Sequence, residues 1–62
     1  MPRYAYEITA TNLITQADTV VESGFLDASS ALEADATLDN KAGEMRLDAD
    51  SVAYYHFDEV PA

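Results

Sequence analysis

The sequence contains no cysteine, which excludes disulfides and thiolate metal sites as supports for the fold and fits a reducing cytoplasm. Cations are nearly absent. Arg3, Lys41 and Arg46 are the only three, too few for direct binding of nucleic acid or attraction to an anionic membrane. Glycine occurs only at positions 24 and 43 and proline only at 2 and 61. No flexible or proline-rich linker therefore divides the chain, and residues 1–62 are expected to form a single domain. Long apolar runs are missing too. The longest uncharged stretch, residues 8–17, is broken by Thr, Asn and Gln and falls short of the ~20 apolar residues a spanning helix needs. Glu7 interrupts the start too early for a secretory h-region. A cytoplasmic location is the expectation.

What is abundant is carboxylate. Twelve Asp and Glu face three basic residues, for a net charge of −9 and a pI near 4.1. The excess is uneven, with net −2 over residues 1–26 and net −7 over residues 27–62. Self-repulsion on this scale opposes a compact state, and it favours a basic protein partner or a high-salt environment. Hydrophobic residues make up 48%, the composition of a folded domain and not of a disordered acidic tail. A chain this short buries only about 60% of the surface its unfolded form exposes. Its core is therefore small, and a partner chain could supplement it.

Residues 27–39 read as the one helix, with Asp27 or Ser30 as N-cap and Ser30 and Glu33 at capping-box spacing. Asn40 and Gly43 lie where a left-handed terminator is expected. At 3.6 residues per turn Ala28, Ala31, Leu32 and Leu38 share a face with Ala34 at its edge, and Asp35 falls inside that apolar stripe. Residues 3–11 alternate as a strand, with Tyr4, Tyr6, Ile8 and Ala10 on one face. A turn near residues 16–18 leads to a second strand over 19–26, in which Gly24 suggests a bulge or a close approach by the helix. Residues 44–48 alternate as a third strand and 48–51 carry turn chemistry. A fourth strand over 52–57 sets Val52, Tyr54 and His56 on one face and Ala53, Tyr55 and Phe57 on the other. The expectation is α+β: a four-stranded antiparallel sheet, ββαββ, with one helix packed on one face. Carboxylates two residues apart on such strands would stand about 6.8 Å from one another, near two phosphate steps of a DNA strand at roughly 3.4 Å each.

No catalytic constellation stands out. His56 neighbours Asp58 and Glu59 in sequence, but a half-exposed histidine among solvated acids needs no catalytic role, and the chain offers no cysteine nucleophile. Asp48-x-Asp50 resembles the opening of a calcium loop, yet Ala53 stands where that loop needs glycine, so a turn is the better reading. No enzyme activity, cofactor or metal is expected. The tyrosines lack the lysines and arginines of a base-stacking surface, and tyrosine among acids suits protein binding. The expected partner-binding set is Glu33, Asp39, Glu44, Asp48, Asp50, Asp58 and Glu59, with Tyr54 or Tyr55 as anchor. The chain would act as a monomer or weak homodimer.

In its size, acidity, lack of cysteine and strand–helix order the chain resembles the small acidic phage-encoded anti-CRISPR proteins. Among these it looks like the type I inhibitors, type I-C included, that imitate DNA. The group has no shared motif, so no residue role is carried over. The resemblance implies inhibition of a Cascade-type effector in the host cytoplasm, by occupation of a basic DNA-binding surface. The alternative is a halophilic structural or regulatory module whose acids serve solvation.

Overall fold

A computed structural model describes residues 1–61. The element order is β1 (Arg3–Asn12), β2 (Asp18–Asp27), α1 (Ala31–Gly43) and β3 (Ser51–Glu59). The strands form one antiparallel sheet in the order β2-β1-β3, and the helix packs mainly against β3. The molecule measures 40 × 19 × 13 Å, long and thin because ten-residue strands with little covering them set its length.

β1 and β2 form the expected hairpin. The Asn12 side chain accepts from the amides of Ile14 and Thr15, both at 2.9 Å, and Gln16 takes the left-handed conformation at φ 62°. An asparagine that satisfies two turn amides lets the chain reverse here. The bulge lies at Val21, not at Gly24. Ile8 faces Glu22 and Thr9 faces Val20, leaving Val21 unpaired. A Cβ on Gly24 would meet the Tyr6 hydroxyl at 3.5 Å, an ordinary contact, so the helix does not press on this position.

The expected fourth strand is a correction: the order is ββαβ. Residues 44–48 are irregular because the helix runs longer than its sequence suggests. Glu44 still donates to Asn40 and Lys41, and Met45 donates to Ala42. The helix terminus thus consumes the first two residues of that stretch. Only residues 46–48 remain before the turn, in which Ser51 donates to Asp48 at 3.0 Å. So short a remnant cannot sustain a ladder. The last strand pairs with β1 instead, and β1 becomes central, with β2 and β3 as the two edges.

The helix also begins later than residue 27. Asp27 ends β2 and pairs with Arg3 at 3.3 Å. Ser30 is the N-cap, its hydroxyl accepting from the Glu33 amide at 3.2 Å, and the Glu33 carboxylate bonds Ser29. No left-handed terminator follows, since Gly43 is helical and Glu44 stays right-handed at φ −90°. The buried face differs from the expected one. Ala34 and Leu38 are fully buried, whereas Ala31 is exposed and Leu32 is 80% exposed. Ala28 is buried but lies before the helix.

The core is Tyr4, Ile8, Ala28, Ala34 and Leu38, with Leu26 and Phe57 packed beside it. Ala34 belongs there because its small side chain brings the helix close to Tyr4. The Tyr4 ring meets Phe57 edge-on at 5.8 Å, a favourable aromatic geometry.

Candidate acidic interface

Pleating divides the expected anchors between two faces. Across the sheet Tyr4, Ile8, Tyr55 and Phe57 share the helix side, while Thr9, Tyr54, His56 and Asp58 share the open side. Tyr54 and Tyr55 therefore point to opposite faces of the sheet, as do Asp58 and Glu59. Tyr54 is 58% exposed in a row with Thr9 and Val20, and Phe25 lies on the same face, 65% exposed. His56 stands 3.7 Å from Glu7, its opposite number on β1.

Tyr55 lies under the helix and donates to Asp35 at 2.7 Å. That bond, with burial and the charges of Asp35 and Asp39, pushes its pKa up to about 12. Asp35, which breaks the apolar stripe in the sequence, is thus the acceptor that a half-buried phenol requires. On the opposite flank of the helix Lys41 reaches Glu22 of β2 at 3.1 Å. Tyr6 donates to the same carboxylate at 2.8 Å. The Tyr6 hydrogen bond first, and Lys41 second, hold the Glu22 carboxyl below its usual range. Burial raises the Tyr4 pKa, followed by the charge of Glu59 and, more weakly, that of Glu33.

The remaining expected residues fall into three places. Glu33, Asp39 and Glu44 are exposed on or at the end of the helix, and Asp48 and Asp50 are exposed in the loop before β3. Glu59 ends β3 on the helix side and Asp58 faces the open side. No strand among the described residues carries carboxylates two residues apart, so the expected strand spacing is not realised. The helix supplies a comparable one, because Asp35 and Asp39 are four residues apart and share a flank. Asp35 stands outside the expected partner-binding set, although the same four-residue spacing from Asp39 puts it in this acidic row.

Among the described residues three of the twelve carboxylates have a basic side chain as partner: Asp27, Glu22 and Glu7. The other nine have none. No helix among the described residues is long and apolar enough to cross a membrane. Comparisons with protein-family models, curated proteins and solved structures find no match.

Proposed function

We propose that this chain is a non-catalytic inhibitor that acts in a host cytoplasm. Its acidic surface occupies a basic, nucleic-acid-binding surface of a type I Cascade-type effector and blocks DNA recognition by charge mimicry. The observation that carries this reading is the set of nine carboxylates that have no basic partner among the described residues. Six of them, Glu33, Asp35, Asp39, Glu44, Asp48 and Asp50, follow one another along α1 and the loop to β3. Such a display repels itself, and a partner bearing Lys and Arg relieves the repulsion while steering fast, salt-sensitive association.

The test is a pull-down with a purified type I effector, followed by competition against its target DNA. Inhibitor and DNA are expected to exclude one another. Binding that leaves DNA recognition intact removes the mimicry, and absence of binding removes the effector as target. A second reading, solvation in high salt, draws on Asp18 and Asp58, which lie on the open face away from the helix. Melting curves in dilute buffer and in molar salt separate the two, because solvation in high salt requires that the domain unfold in dilute buffer.

A further inference from the structure

The outer edge of β3 is unpaired, and its backbone orientation can be read from two bonds. Val60 donates to Arg3 and Leu13 donates to the Asp50 carbonyl, each at 2.7 Å. In an antiparallel ladder the N–H and C=O of a residue point to one side, and the side alternates along the strand. The register from Tyr4↔Glu59 to Asn12↔Ser51 runs without a shift. Even-numbered residues thus face β1, while Ala53, Tyr55, Phe57 and Glu59 turn their backbone groups outward. Among the described residues none of these four has a backbone hydrogen bond outside the ladder. Edge strands are ordinarily blunted by Lys, Pro, a bulge or shortness. β2 has its bulge, but β3 has nine residues without Lys, Pro or bulge, and its carboxylates, Asp58 and Glu59, stand only at its end. Beside this edge opens a groove of about 530 Å³ lined by Asp39, Met45, Leu47, Asp48, Ala53 and Tyr55, with Asp35 held at the Tyr55 hydroxyl.

We propose that the β3 edge is a docking site for an extended, basic polypeptide segment, which joins the sheet as a fourth strand. The inference rests on the reading of this chain as a binder of basic protein surfaces and names how the contact is made. The outward groups of residues 53–59 span about 20 Å, six steps at ~3.4 Å each, and supply main-chain hydrogen bonds. Alternate side chains of the added strand lie on the helix side, near Asp35, Asp39 and Asp48, where Lys or Arg is favoured. Those between lie beside Val52, Tyr54 and His56, where β-branched residues pack. A second copy is the weaker occupant. Pairing β3 with itself about Tyr55 would set Asp35 and Asp39 of both copies against one another, between chains of net charge −9 each.

The experiment uses the full chain and a synthetic peptide of about eight residues alternating Lys and Thr, long enough to cover this edge. Amide exchange at Ala53, Tyr55, Phe57 and Glu59 is followed by NMR. Saturating peptide is expected to slow exchange at these four amides at least about tenfold, because each amide gains a partner. The same peptide N-methylated at alternate residues should give no protection. Asp35→Asn with Asp39→Asn should weaken binding about fivefold, as for two exposed ion pairs, while the amide oxygen introduced at position 35 can still accept from Tyr55. Binding without edge protection overturns the proposal, as does no binding. Protection that grows with protein concentration alone also overturns it, because a second copy then fills the edge. An effector that is bound and inhibited while these amides stay unprotected refutes this inference alone. Edge protection by the peptide without any effector binding refutes only the choice of effector.

Discussion

Leu38 is fully buried and Leu32, six residues earlier, is 80% exposed, although both are leucines of one short helix. Their truncations should therefore differ. Leu38→Ala removes one of the two largest fully buried side chains and is expected to cost about 2–5 kcal/mol. A domain of this length has roughly 3–9 kcal/mol in total, so urea denaturation should show most of the stability gone. Leu32→Ala should move the urea midpoint by less than the equivalent of ~0.5 kcal/mol. The tyrosine–carboxylate bonds give the molecule limits on both sides of neutral pH. The Tyr55 pKa is raised from 10.0 to about 12, so the folded state keeps a proton that the unfolded chain releases. The stability this provides is present below pH 10 and is lost as pH rises through about 12. Glu22 has the opposite sign. Its folded pKa lies below the ordinary 4.5, so its contribution is present above that value and is lost as pH falls through the lower one. Tyr55→Phe should flatten the alkaline limb of a stability–pH curve, and Glu22→Gln the acid limb.

At the scale of elements the helix depends on its start more than on its end. Ser30 satisfies a first-turn amide, and Ser30→Ala should cost about 1 kcal/mol, read as a lower urea midpoint with an unchanged slope. Backbone chemical shifts should be helical through Asn40 and Gly43 and should lack strand character over residues 44–50. Strand shifts across 44–48 would restore the four-stranded arrangement. The strands were legible in advance because alternation at period two reports which side chains share a face, whatever lies beyond them. The faces of Tyr4, Tyr6 and Ile8, and of Val52, Tyr54 and His56, therefore stand as read. The helix stripe was less legible. Alanine at 28, 31, 34, 36 and 42 makes several faces nearly equivalent, and the choice among them passes to the sheet.

For the whole molecule the governing quantity is charge carried on a thin core. Salt should raise the melting temperature by screening repulsion among exposed carboxylates, and the domain is expected to remain folded in dilute buffer. Unfolding in dilute buffer would shift the reading toward solvation in high salt. Asp48→Asn with Asp50→Asn should weaken effector binding without loss of stability. The turn bond from Ser51 to Asp48 uses the backbone carbonyl, and asparagine suits a turn. Glu7→Gln, on the open face opposite His56, should leave binding nearly unchanged. A DNA competition assay at two salt concentrations measures both. Equal losses from the two variants would mean that net charge alone matters.

By itself the sequence determined the charge, the absence of thiol chemistry, the first hairpin and the two-sided alternation of β1 and β3. Each of these follows from composition or from neighbours within a few residues. Tertiary structure decided the rest. Whether residues 44–48 become a strand depended on how far the helix ran and on which strand β3 joined. Whether Asp35 was a fault or an acceptor depended on Tyr55, twenty positions away. That Ala34 and not Leu32 faces the core depended on the space left by Tyr4 and Phe57. Local periodicity carries no information about such distant partners, and only the packed chain places an aspartate beside a phenol or leaves the edge of β3 open.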